Sequence, residues 1–164
     1  MSLVYIGIGS NVNREENIKS CIRCLRQEYS VISISPLYET SSMGFDGPNF
    51  YNLVCSFETN QDVVILKNEL SQIEKNHGRS MNETKFSSRT LDIDILYYDD
   101  LVYEDENMNL PRKEIIQYDF VLQPLVDISP EFVHPLVKKT NKVIMNEFQI
   151  EKNIIRKIPF NFDE

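Results

Sequence analysis

A chain of 164 residues suits one domain with a sizeable core, and 41% hydrophobic with 26% charged residues is the balance of a globular protein. The net charge of −8 argues against a general nucleic-acid or membrane-surface binder, because anionic backbones and headgroups attract basic faces. It leaves room for a small anionic ligand at a local basic cluster, which Arg79, Lys85, Arg89, Arg112 and Lys113 could form.

Along the chain, residues 3–9 form a short apolar run rich in branched side chains and ending at Gly9, the pattern of a buried strand. Asn13 precedes Glu16 by three, a capping-box spacing that starts a helix. Ile18, Ile22, Leu25 and Tyr29 then recur at helical spacing. Residues 31–40 alternate as a second strand, and residues 41–49, with Gly44, Gly47 and Pro48, read as an irregular loop. Residues 50–59 return to strand character. A second helix opens at residues 60–62, carries Val63, Leu66, Leu70 and Ile73 as its apolar stripe, and stops at Gly78. Residues 79–88 are polar and without periodicity. The predicted order β-α-β-β-α-β is the split β-α-β arrangement of an α+β, ferredoxin-like fold, with two helices on one face of an antiparallel sheet and the other face left for loops and a ligand.

The last of these strands carries the chemistry. From Thr90 the residues alternate, with Ile93 and Ile95 between Asp92 and Asp94. Residues two apart in a strand point the same way, about 6.6 Å apart. The two carboxylates therefore project together, and like charges held that close favour a cation between them. Arg89 and Lys85 just upstream suit the oxygens of a metal-bound polyphosphate. A solvated strand face with incidental salt bridges would carry the same Asp-x-Asp.

Beyond this strand, residues 101–109 are acidic and read as a loop or edge hairpin, residues 113–117 as a short helical turn, residues 124–127 as a brief helix or turn, residues 143–148 as a short helix, and residues 154–160 as a final extended piece. His77 at a helix end and His134 before Pro135 are assigned structural roles. Cys21, Cys24 and Cys55 make an odd count with no signal-peptide pattern, and no second pair completes a zinc site, so they read as small buried thiols in a reduced, cytoplasmic setting. No apolar run approaches the ~18 residues of a membrane span.

Residues 89–96, Arg-Thr-Leu-Asp-Ile-Asp-Ile-Leu, resemble the signature of the 6-hydroxymethyl-7,8-dihydropterin pyrophosphokinase family. Residues 5–11, 38–40, 50–52, 73–74, 78–79, 120–125 and 128–131 agree with it in order and spacing. The resemblance runs from about Val4 to His134, and the chain is read as one such domain over residues 1–164, acting as a monomer. Its activity would be transfer of the β,γ-diphosphate of ATP to the hydroxymethyl oxygen of a reduced pterin, leaving AMP, with two Mg²⁺ ions held by Asp92 and Asp94. It also implies a pterin slot formed by Phe120 as a stacking ring, Asn52 reading the ligand edge, and Phe50, Thr40, Ser41 and Met43 around them. ATP contacts fall to Glu74, Arg79, Lys85, Arg89, Arg112 and Tyr118, with Arg89 also assigned to catalysis. No residue identifies itself as a dedicated base.

The chain departs from the family pattern at Phe86 for the usual Trp, at Ser87 and Ser88 for Gly-Pro, and at Met81, Arg112 and Tyr118 for Arg, His and Arg. Arg112 keeps a cation where the His would be, while Tyr118 offers a phenol in place of a cation. A binding relative without turnover is therefore a second reading of the sequence, and a nucleotidyl transferase, suggested by Gly9-Ser10 and a later Asp-x-Asp, is a third.

Overall fold

The computed structural model describes residues 1–42, 47–78 and 91–162. Strands β1 (Ser2–Ser10), β2 (Ser33–Ile34), β3 (Leu37–Thr40), β4 (Phe50–Thr59) and β5 (Asp92–Tyr98) alternate with helices α1 (Arg14–Tyr29) and α2 (Val63–Asn76). A small hairpin, β6 (Tyr103–Glu104) and β7 (Asn109–Leu110), follows, then a 3-10 turn (Lys113–Ile116), α3 (Asp119–Ile128), α4 (Asn141–Glu147) and β8 (Ile154–Ile158). The sheet runs β5-β1-β4-β3-β8, with β2 also on β4, and all its pairings are antiparallel. Taking β2 and β3 as one interrupted strand, this is the predicted ferredoxin-like order, extended at its edge by β8.

The interruption has a local cause. Pro36 has no N–H to give to a neighbour, and Ser35 bridges the gap. Its N–H donates to the Val54 carbonyl at 2.9 Å, while its Oγ accepts from the Val54 N–H, also at 2.9 Å. The single strand expected over residues 31–40 is thus two short ones. Asn13 also differs from the expectation. It precedes α1 in the left-handed region, at φ 44°, and makes no side-chain capping bond. Asp62 does cap α2, its Oδ1 accepting from the Val64 N–H at 2.8 Å.

α1 and α2 cover one sheet face. Ile18, Cys21, Ile22 and Leu25 from α1 and Leu66 and Leu70 from α2 meet Ile6, Ile8, Leu53, Cys55, Ile93 and Ile95 in one core. The opposite face corrects the expectation that only loops and a ligand would occupy it. A second core of Tyr5, Val54, Leu96, Val121, Leu122, Leu125 and Ile144 packs α3 and α4 there. The sequence obscured α3 because Pro124 reads as a breaker, yet the helix continues through it, with Val121, Leu122, Pro124 and Leu125 buried. Among the described residues, the end of this face near Gly7 and Gly9 lines a cleft.

Both histidines take structural positions. The His77 ring bridges the Ile73 carbonyl at 2.7 Å and Ser20 Oγ at 2.8 Å. His134 Nδ1 accepts from the N–H groups of Leu136 and Val137 at 3.2 and 3.1 Å, and burial pushes its pKa down to about 4. All three cysteines are free. Among the described residues no helix is long and apolar enough to cross a membrane.

Candidate active site

The open end of the sheet is built from two cross-strand rows. Gly9 of β1 pairs with Asp92 on one side and Asn52 on the other, and Asn52 pairs in turn with Tyr38. One step along, Gly7 pairs with Asp94 and Val54. Directly paired residues share a face, so both aspartates and Asn52 project on the same side, separated by a strand that has no side chain at either position. The two glycines give the cleft a floor of bare backbone. Neither was singled out from sequence as a site residue. The available signal was Gly-x-Gly at a period of two on the strand that the order β-α-β-β-α-β places centrally.

The cleft above this floor has a volume of about 420 Å³ and is lined by Asp92, Asp94, Arg112 and Glu114 at one end and by Thr40, Ser41, Phe50, Asn52, Tyr118 and Phe120 at the other. Asn52 Nδ2 donates to Thr40 Oγ1 at 2.7 Å, which fixes the amide plane. The rings of Tyr118 and Phe120 stack at 5.4 Å with 23° between planes and line the cleft together with Ser41 and Phe50. A flat heterocycle suits a slot with ring faces as walls and an amide at its edge.

The acidic end is arranged around Asp94. Burial, with Asp92 beside it, raises the Asp94 carboxyl from the ordinary carboxylate range to about 6. The guanidinium of Arg112 partly offsets this, with one terminal nitrogen 3.6 Å from Asp94 Oδ1 and Nε 2.9 Å from Glu114 Oε2. The Arg112 backbone N–H donates to the Leu96 carbonyl at 3.0 Å, which ties the residue to β5 beside the acidic pair. Two carboxylates with hard oxygen donors on one strand face suit Mg²⁺, which commonly takes one or two carboxylates and completes its shell with water and substrate phosphates.

Of the residues expected at the site, Asp92, Asp94, Arg112, Tyr118, Thr40, Ser41, Phe50, Asn52 and Phe120 line this single cleft. Met43, Arg79, Lys85 and Arg89 lie outside the described residues, as do Met81, Phe86, Ser87 and Ser88. Glu74 is not brought to the cleft. It is 6% exposed in the helix-side core, where its Oε2 accepts from the Ile93 N–H at 2.7 Å. A helical carboxylate aimed at a ligand and one aimed at a neighbouring strand look alike in sequence. Glu74→Ala is expected to lower stability by about 1–3 kcal/mol, since it strands a buried backbone N–H. Thermal unfolding measures this, with nucleotide affinity compared at a temperature where the variant is folded.

Fold and cleft define a ferredoxin-like α+β domain in which an acidic pair faces an aromatic slot across a bare strand. A family model described as 7,8-dihydro-6-hydroxymethylpterin-pyrophosphokinase (HPPK) matches residues 5–130. The 2-amino-4-hydroxy-6-hydroxymethyldihydropteridine pyrophosphokinase of Aquifex aeolicus is 33% identical over 156 residues, covering 94% of each chain. The folic acid synthesis protein fol1 of Schizosaccharomyces pombe is 36% identical over 81% of this chain, and the chain spans only 19% of that protein's length. A similar folic acid synthesis protein of Dictyostelium discoideum is spanned over 22% of its length. In structure, Plasmodium falciparum HPPK-DHPS superposes with a TM-score of 0.71 at 14% identity, over 89% of this chain and 44% of that one. The chain belongs to the 7,8-dihydro-6-hydroxymethylpterin-pyrophosphokinase family.

Proposed function

We propose that the chain transfers the β,γ-diphosphate of ATP to the hydroxymethyl oxygen of 6-hydroxymethyl-7,8-dihydropterin, giving the pterin diphosphate and AMP, a step of folate biosynthesis. The carrying observation is the arrangement of Asp92 and Asp94 on the same sheet face as Asn52, with bare glycines between them. A ligand stacked on Phe120 and read by Asn52 would lie along that floor, its hydroxymethyl group directed toward the acidic end.

In this reading Asp92 and Asp94 hold two Mg²⁺ ions, which when bound neutralise phosphate charge and align nucleophile with leaving group. Arg112 exchanges its contact with Asp94 for phosphate oxygens, while Glu114 keeps hold of its Nε. Tyr118 gives one hydroxyl at the nucleotide side, and Arg79, Lys85 and Arg89 supply further phosphate contacts. Thr40, by accepting from Asn52, leaves Asn52 Oδ1 and one amide hydrogen for the pterin edge, with Ser41, Phe50 and Met43 completing the slot. Such contacts pay off as orientation of the two substrates rather than as covalent chemistry.

In the same reading residues 1–164 act as one pterin diphosphokinase domain and as a monomer. Three free thiols support a reducing, cytoplasmic setting. The test is AMP formation from ATP and 6-hydroxymethyl-7,8-dihydropterin, followed chromatographically. AMP is expected with Mg²⁺ present and is expected to vanish in excess EDTA and return when Mg²⁺ is restored. Tight binding of both substrates without AMP would identify a binding protein instead, and pyrophosphate release a nucleotidyl transferase.

A further inference from the structure

The segment before β8 touches both walls of the aromatic slot. On one side, the Asp119 N–H donates to the Glu151 carbonyl at 3.0 Å, and the Glu151 N–H donates to the Gln117 carbonyl at 2.8 Å, forming a short parallel bridge beside Tyr118. On the other side, the Asn153 carbonyl accepts from the Ser41 N–H at 3.1 Å, and Ile154 sits in register with Thr40. Ile150 is buried in the second core and anchors the segment from below. Residues 150–154 thus form a strap from the Tyr118–Phe120 wall to the Thr40–Ser41 wall. The family match ends at residue 130, so the strap lies in a part of the chain that the match does not cover.

One side chain holds the strap in place. Asp119 is 6% exposed and does not line the cleft. Its Oδ1 accepts from the Asn153 N–H at 2.8 Å and from the Ile154 N–H at 3.3 Å, and its Oδ2 lies 3.2 Å from the same Ile154 nitrogen. Asn153 is therefore bonded to the Phe120 side through its N–H and to the Ser41 side through its carbonyl. Removing the carboxylate takes the acceptor from two backbone donors of the strap and loosens the tie between the walls, leaving the backbone bridge at Glu151 as the remaining hold on the Tyr118 side. The gap between the walls decides whether a ring can stack, because dispersion is lost steeply with small separations.

We propose that Asp119 is a positioning residue for the pterin slot, setting the distance between its two walls through the strap at residues 150–154. The inference rests on the pterin reading of the cleft. The acidic end is held separately, since Asp92 and Asp94 pair with β1 and the Arg112 N–H is tied to the Leu96 carbonyl, while the nucleotide-side Tyr118 adjoins the strap at Glu151.

The experiment measures affinity for 6-hydroxymethylpterin by its fluorescence and affinity for Mg²⁺ with α,β-methylene-ATP by calorimetry, on wild type, Asp119→Ala, Asp119→Glu and Asp119→Asn. Asp119→Ala is expected to weaken pterin binding about 10- to 50-fold and nucleotide binding no more than about threefold, the latter through Tyr118 beside the strap. Asp119→Asn, which keeps an acceptor at Oδ1, is expected to restore pterin affinity to within about threefold of wild type. Asp119→Glu keeps both acceptors but moves them by one methylene. It is expected to weaken the pterin about fivefold with nucleotide unchanged, and it decides the matter if the alanine variant does not fold. Pterin binding unchanged in a folded Asp119→Ala or Asp119→Glu protein, or equal losses for both ligands, overturns the positioning role alone. Absence of pterin binding by the wild type overturns the slot reading and the positioning role with it.

Discussion

Alanine at Asp92 or at Asp94 is expected to lower kcat by about 10³-fold or more while leaving a folded protein. In the proposed reaction each carboxylate would help hold metal charge worth several kcal/mol of transition-state stabilisation, and every 1.4 kcal/mol or so is a tenfold change in rate. Asp94 carries a second, opposite consequence for stability. Its folded-state pKa of about 6 stands above the ordinary 3.8, so between those values the folded chain binds a proton that the unfolded chain has released. Stability therefore falls as pH rises through that window, and the ionised carboxylate is a standing cost at neutral pH. Asp94→Asn removes the charge and keeps the shape. The metal-free variant is expected to unfold ~2–4 °C higher than wild type at pH 7.5, while its activity is lost. The difference should shrink as pH is lowered toward 4, where wild-type Asp94 is itself protonated. His134 works the other way, since its depressed pKa makes stability fall with acidification between its ordinary 6.5 and about 4. Comparing wild type with Asp94→Asn at each pH cancels that contribution. A calorimetric pH series with both proteins checks the sign.

Gly9→Ala is expected to be mild for stability and severe for the pterin. A Cβ at Gly9 would lie 2.6 Å from Asn52 Oδ1 and 3.8 Å from the Phe50 ring. The first contact is too short to persist, and the yielding partner is the end of a side chain, not backbone. Asn52 would rotate and give up its 2.7 Å bond to Thr40. That costs about 1 kcal/mol of stability. A site built to bond a polar ligand edge loses more when its amide is misplaced, so kcat/KM for the pterin is expected to fall about 10- to 100-fold with the KM for ATP little changed. Gly7→Ala is the comparison, because its Cβ would make only ordinary contacts of 3.6 Å with Leu96. Steady-state kinetics varying each substrate in turn distinguishes the two variants.

The acidic pair was legible because strand periodicity alone sends Asp92 and Asp94 to one face, opposite the buried Ile93 and Ile95. The stripes of α1 and α2 were legible for the same reason at a period of 3.6. Glycines at 7 and 9 were harder to see as functional, since their contribution is the side chain they lack. Glu74 shows the converse, a carboxylate whose strand-facing role depends on a partner 19 residues away in sequence. The break at Ser35-Pro36 and the continuity of α3 through Pro124 both turned on neighbours supplied by tertiary structure, Val54 in one case and the second core in the other. The strap was read only as an extended piece, because nothing in residues 150–154 names Asp119 or Ser41 as partners.

The central claim is that an intact diphosphate crosses this cleft onto the pterin alcohol. Phosphorus NMR of the products formed from ATP and 6-hydroxymethyl-7,8-dihydropterin with Mg²⁺ reads it directly. The expected spectrum has two mutually split phosphorus signals on the pterin product beside the single signal of AMP. A single unsplit phosphate ester with ADP, or free pyrophosphate with a nucleotide-linked pterin, contradicts the account.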